Sequence, residues 1–215
     1  VLRTLVKTRD IAVDEKLNIV MVRDTPEAIR LIERLIAVQD LAEAEVMGFD
    51  RLLVEQRAAW ARRWADADIR IEGDDELERA VRFGLFHLMG SVDDSGEAAV
   101  GARGISGSAY RGHVFWDTDV FVLPFLAATH PASARAMLEY RVRRLPVARQ
   151  AAAALGRRGA RFPWESAHSG LDVTPRSSLD RDGRRVEIRT GDLEEHIVAD
   201  VAWAAEEFHA WTADD

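Results

Sequence analysis

Cysteine is absent from this chain of 215 residues, so disulfides and thiolate metal sites are excluded. A reducing cytoplasm fits that absence and is the expected setting. No apolar run approaches the roughly 20 residues of a membrane span, and no basic-then-apolar signal segment opens the chain. Positive charge is in deficit: 29 Lys and Arg stand against 37 Asp and Glu, a formal net charge of −8. A nucleic-acid surface is therefore not expected. Familiar site signatures are missing too. The spacing of Gly101, Gly104 and Gly107 is not the dinucleotide fingerprint. Gly104-Ile105-Ser106-Gly107 lacks the spacing of a nucleophile elbow, so Ser106 is a poor nucleophile. No His-Glu-x-x-His or similar spacing appears. His113 and Asp117 can share a helical face, which is thin support for a metal, and none is expected.

What is present reads as a mainly α protein. Hydrophobic residues make up 47% and charged residues 31%, an ordinary globular balance with enough chain for one large core or two modest ones. Residues 1–22 hold two strand-like runs, Arg3–Thr8 and Lys16–Val22. Two strands alone are marginal in water, so they are expected to belong to a larger sheet. Thr25-Pro26 signals a helix start, followed by Ile29, Ile32 and Ile36. Phe49, Leu53, Trp60 and Trp64 recur at helical spacing, as packing residues do. Asp75 and Glu78 resemble a capping box for a helix with Leu77, Val81, Leu85 and Leu88 on one stripe. His87, near its end, reads as a structural histidine. Further on, Phe121–Thr129 suits a buried helix, Pro131 starts another, and Pro146 is expected to kink or restart it. Residues 157–190 read as a long loop, and a last helix, Leu193–Trp211, is expected to be capped by Asp192. The absence of an initial methionine and the stop just past an amphipathic pattern suggest a piece of a longer protein.

Two clusters carry chemistry. A glycine-rich segment with Gly101, Gly104, Gly107 and Gly112 leads into Tyr110, His113, Phe115, Trp116, Asp117 and Asp119. The second is Phe162-Pro163-Trp164-Glu165-Ser166. An aromatic face beside a carboxylate suits a sugar: the ring stacks on C–H groups and the carboxylate accepts from paired hydroxyls. Either pair alone is more often structural. Two such pairs favour a carbohydrate pocket, provided that both face one cavity.

The blocks GxxGxxYRGHVFWDTD, LPVARQAA, GARFPWESAHSG and TGDLEEHIVADVAWA resemble, in this order across roughly residues 50–211, the central domain of glycoside hydrolase family 65. That family contains inverting phosphorylases of maltose, trehalose and kojibiose, and some trehalose hydrolases. The resemblance implies part of an (α/α)₆ barrel with a short N-terminal remnant of a β-sandwich. On that reading residues 1–22 are the sandwich tail, 25–66 a helical linker, and 70–215 the first half of the catalytic barrel.

By the same resemblance Trp116 and Asp117, with Trp164 and Glu165, contact the glucose next to the scissile bond. Thr190 and His196 lie near the pocket and bear on the second sugar. Asp119 departs from the family's usual Glu. The implied activity is phosphorolysis of an α-linked glucose disaccharide to β-glucose 1-phosphate and glucose. No cofactor is implied, only inorganic phosphate as co-substrate, with a homodimer as a candidate assembly. The family's catalytic acid, a Glu close to GPDEYH, and its phosphate loop have no counterpart before Asp215, so no catalytic residue is assigned and the segment alone is expected to be inactive. A hydrolase, with water activated opposite the acid, and a non-catalytic sugar-binding module are the alternatives.

Overall fold

The computed structural model describes residues 10–14, 19–23, 42–92, 96, 99–104 and 109–214. The chain divides into two compact units, Val1–Arg62 and Arg63–Asp215. In the first, β1 (Asp10–Asp14) and β2 (Ile19–Arg23) pair antiparallel, with Ala12 opposite Met21. The first of these strands lies in the stretch read as a connection, and the second is shifted from Lys16–Val22. Strand limits follow the partner's register more than composition, which displaces both. The expected strand at Arg3–Thr8 and the helix after Thr25-Pro26 lie outside the described residues.

A helical turn at 42–47 precedes Gly48, whose φ of 77° suits glycine, and α1 (Phe49–Ala67) follows. Trp60 and Trp64 on α1 are half-buried, and the Arg82 guanidinium lies 5.1 Å from the Trp64 ring centre. Helix α2 (Asp75–Met89) starts one residue earlier than its capping pattern suggests. Asp74 is the N-cap, accepting from Leu77 N at 2.9 Å. Glu78 reaches back to Ile71 N at 2.9 Å, so it ties down the preceding chain instead of closing a reciprocal box. Leu85 and Met89 are its buried residues, whereas Leu77 is exposed.

Besides α2, the second unit holds α3 (Trp116–Phe121), α4 (Leu123–Thr129), α5 (Pro131–Ala154), α6 (Thr190–Leu193) and α7 (Ile197–Thr212). Its main core joins Val100, Leu123, Leu126, Ala127, Ala134, Met137, Ala204 and Phe208. Full burial of a Leu or Phe of this kind contributes about 1.5–3 kcal/mol. The expected single helix through Phe121–Thr129 is broken at Val122, because Pro124 at the start of α4 has no N–H to bond back to residue 120.

Pro131 starts α5 as its position suggests, but Pro146 neither ends nor restarts that helix. Pro146 and Val142, whose carbonyl loses its partner, are both exposed, so water can satisfy the acceptor. The last helix is also corrected. Asp192 caps nothing; α6 stops at Leu193, and α7 begins after His196. Asp192 instead pairs with Arg176 at 2.5 Å.

Residues 157–190 are more ordered than a loop. They hold β4 (Glu165–Ser166) and a hairpin of β5 (Ser177–Leu179) and β6 (Arg185–Glu187). Asp180 Oδ1 accepts from the Asp182 and Arg184 amides at 2.9 and 2.8 Å, fixing the hairpin turn. Strands this short and exposed leave no alternating pattern to read. No helix among the described residues is long and apolar enough to cross a membrane.

Candidate functional site

The glycine-rich segment works first on its own backbone. A Cβ at Gly101 would stand 3.2 Å from the Gly112 carbonyl oxygen, and Ala102 N donates to His113 O at 3.2 Å. Tyr110 and Arg111 then take φ of 61° and 53° ahead of Gly112 at 73°. Such left-handed conformations cost non-glycine residues on the order of 1–3 kcal/mol each and cluster where geometry is imposed for function. The turn delivers β3 (Val114–Phe115) to β4, with Val114 opposite Ser166 and Phe115 opposite Glu165. Phe115 is also the N-cap of α3, so Trp116 and Asp117 open that helix directly from the ladder.

This pairing brings the two tryptophan–carboxylate clusters together. The Trp116 and Trp164 rings lie 6.1 Å apart at 56°, and the Phe115 ring meets Trp164 edge-on at 6.3 Å. His196 stands edge-on to both, 4.8 Å from Trp116 and 6.0 Å from Trp164. Both tryptophans rest on a second core of Ala148, Phe162 and Ile197. Glu165 is buried, and its Oε1 lies 2.6 Å from His113 Nδ1. A carboxylate can only accept, so the proton sits on Nδ1 of His113. Trp116 Nε1 and Thr190 Oγ1 are buried without a hydrogen-bond partner among the described residues.

Two neighbouring clefts open here. The larger, about 760 Å³, is lined by Asp117, Trp164, Phe115, Gly101–Gly104 and the α2 residues His87 and Leu88. The smaller, about 480 Å³, is lined by Glu165, Trp164, Thr190, Thr174 and His113. Tyr110, Phe115 and Trp164 border both. Trp116 and His196 line neither; their rings form the packing behind Trp164. His196 is held by Asp200 at 2.5 Å. Four of the six residues singled out in the sequence thus reach a cleft surface, on two sides of a shared aromatic border.

The exposed Asp117 carboxylate beside an aromatic wall can accept from sugar hydroxyls, and Glu165, already bonded to His113, keeps lone pairs for a second set. No group of three His, Cys, Asp or Glu side chains among the described residues is gathered to hold a metal. His87 packs edge-on to Phe83 and Phe86, at 4.5 and 5.4 Å.

Asp119, noted for its departure from Glu, faces away from the clefts into a buried ion pair with Arg141, 2.5 Å between Oδ2 and Nη2. Arg141 has no motif of its own; its one local signal is a charge on the stripe of α5 shared with Met137, Tyr140, Arg144 and Ala148, all of them buried.

Residues 82–215 match the glycosyl hydrolase family 65 central catalytic domain. A kojibiose phosphorylase of Caldanaerobacter subterraneus subsp. tengcongensis is 47% identical over 176 residues, covering 81% of this chain and 23% of that protein. A kojibiose hydrolase of Flavobacterium johnsoniae is 39% identical, covering 80% and 24%. An alpha,alpha-trehalose phosphorylase of Thermoanaerobacter brockii is 34% identical, covering 83% and 22%. The chain therefore spans about a quarter of the length of these relatives. A solved structure from human microbiome, named for kojibiose phosphorylase, shares the fold with a TM-score of 0.66 at 24% identity, over 82% of this chain and 22% of that one.

Proposed function

The chain belongs to glycosyl hydrolase family 65, and from that premise we propose that the whole protein cleaves an α-linked glucose disaccharide by inverting phosphorolysis. The products are β-glucose 1-phosphate and glucose, and the substrate we favour within the maltose, trehalose and kojibiose class is kojibiose. The observation that carries the reading is the β3–β4 pairing, which sets Trp116-Asp117 beside Trp164-Glu165 at adjoining clefts. In this reading Trp164 walls the sugar and Trp116 backs it. Asp117 and Glu165 hold hydroxyls, Thr190 borders the second sugar, and His196 bears on it only through its packing against Trp164. Such positioning supplies several kcal/mol of barrier reduction. The proton donor and the phosphate site belong to parts of the protein beyond these residues. The setting we propose is the cytoplasm, where a charged sugar phosphate is retained.

Kojibiose is favoured because kojibiose phosphorylases share 47%, 45% and 42% identity with the chain, against 34% for the trehalose enzyme. Hydrolysis is the second reading, supported by kojibiose hydrolases at 39% and 38%. The test is release of glucose 1-phosphate by the whole protein from kojibiose, maltose, trehalose and nigerose, with and without phosphate. Phosphate-dependent release from kojibiose is expected. Free glucose formed without phosphate would move the reading to hydrolase, and turnover of none of the four would overturn both.

A further inference from the structure

The ladder that joins the two clusters contains only two residue pairs, and an isolated pair of short strands is marginal in water. The His113–Glu165 bond also spans it, and helix α5 adds a further set of bonds to both sides. Helix α5 presents Tyr140, Arg141 and Arg144 to the two motif segments, and all three are buried.

Arg141 bonds the β3 side. Its Nη2 donates to Phe115 O at 3.2 Å and to Asp119 Oδ2 at 2.5 Å, while Nε reaches both Asp119 oxygens at 3.2 Å. One guanidinium therefore grips the residue before Trp116-Asp117 and the residue two after Asp117. Tyr140 bonds the β4 side. Its hydroxyl donates to Ala167 O at 2.8 Å and lies 3.0 Å from Ser166 Oγ. Because the tyrosine proton goes to a carbonyl, Ser166 is the donor in the second bond.

Arg144 extends the grip: Nε donates to His168 O at 2.9 Å, and its guanidinium rests 3.9 Å from the Tyr140 ring centre. Gly170 closes over it, since a Cβ there would come within 2.8 Å of the Arg144 stem.

We propose that Tyr140, Arg141 and Arg144 are positioning residues that set the spacing between Trp116-Asp117 and Trp164-Glu165. The proposal deepens the sugar-cleaving reading above and rests on it for its kinetic consequence. Two observations favour a positioning role over simple packing. A buried ion pair is seldom more stabilising than an apolar filling of the same volume. The bonds from α5 also end on main-chain carbonyls flanking the motif residues, where they constrain backbone placement. Neighbouring residues on one helix hold such a geometry more tightly than loops do.

The test uses the whole protein with Tyr140→Phe and Arg141→Lys. The first keeps the ring under Arg144 and removes only the hydroxyl. The second keeps a positive charge for Asp119 but lacks the fork that also reaches Phe115 O. One readout is the exciton couplet of the Trp116–Trp164 pair in circular dichroism, identified by its loss in Trp116→Phe. The other is KM for the disaccharide cleaved. Both variants are expected to shrink the couplet and to raise KM by about tenfold, since misplacement by about 1 Å can cost on the order of a hundredfold.

A structural role alone would lower the amount of folded enzyme, and with it the turnover, and leave KM unmoved. Unchanged couplet and KM in both variants, or a shrunken couplet with KM unmoved, overturns the proposal. Should Arg141→Lys fail to fold, Tyr140→Phe decides by the same criteria. The couplet needs no turnover. If the whole protein cleaves no disaccharide, the functional reading fails separately, and the couplet decides this one: shrinkage supports it and constancy overturns it.

Discussion

His113 and Glu165 meet at 2.6 Å across the join between the two motif clusters, an imidazole N–H donating to a buried carboxylate. The contact links the glycine-rich turn to β4 and leaves Glu165 oriented toward the smaller cleft. Removing the donor strands a buried acceptor, which costs about 1–3 kcal/mol. His113→Ala is therefore expected to lower stability by that amount in denaturant melts of the whole protein. His113→Asn, which keeps an N–H, should recover part of it.

Asp117 tells the opposite story, because it is exposed at the rim of the larger cleft. Surface substitutions of this kind usually change stability by less than about 0.5 kcal/mol. A hydrogen bond to a charged group contributes about 1.5–3 kcal/mol, equivalent to roughly ten- to a hundredfold in kcat/KM. Asp117→Ala should leave the melt in place and lower kcat/KM by that factor. Turnover equal to wild type on every disaccharide would remove Asp117 from the site.

The Asp119–Arg141 pair is buried on both sides, so its two single deletions should be far worse than the double replacement. Asp119→Leu alone leaves an uncompensated guanidinium and is expected to cost about 3–5 kcal/mol, whereas Asp119→Leu combined with Arg141→Met should fall near wild type in stability. A double-mutant cycle read by chemical denaturation measures this directly. Strictly additive losses would contradict it.

Glu195 is held below the usual carboxylate range chiefly by its hydrogen bond with Arg157; desolvation opposes this, and the Arg157 and Arg161 charges add to the lowering. A lowered folded-state value means that the pair stabilises the fold above the unfolded value of 4.5 and loses that contribution as pH falls through the lowered one. The Arg157→Gln variant should thus melt slightly below wild type at neutral pH and low salt. The gap should close toward acid pH, and also as salt is raised.

Exposed apolar side chains make a further expectation concrete. Leu77, Phe83 and Phe86 on α2, Phe121 after the motif, and Trp211 on α7 are all exposed. Apolar surface of that kind favours association. A polypeptide limited to these 215 residues is expected to self-associate in light scattering, and a monodisperse, cooperatively melting monomer would refute this.

Local chemistry in the sequence determined a good deal. The order of the motif blocks carried the family. Pro131 marked the start of α5, where a missing N–H is harmless. The tryptophan–acid pairs named three residues that reach a cleft, Asp117, Trp164 and Glu165. What the sequence left open was decided by contacts between segments far apart in the chain. A ladder of two residue pairs has no periodicity, so nothing local announced that Phe115 would face Glu165. Pro146 stays inside α5 because its orphaned carbonyl lies on the exposed side, and exposure is a property of the packed molecule. Trp116 was drawn behind Trp164 by the core of Ala148, Phe162 and Ile197. Arg141 could be buried only because Asp119 and the Phe115 carbonyl meet it there, and that compensation for desolvation exists only in the folded state.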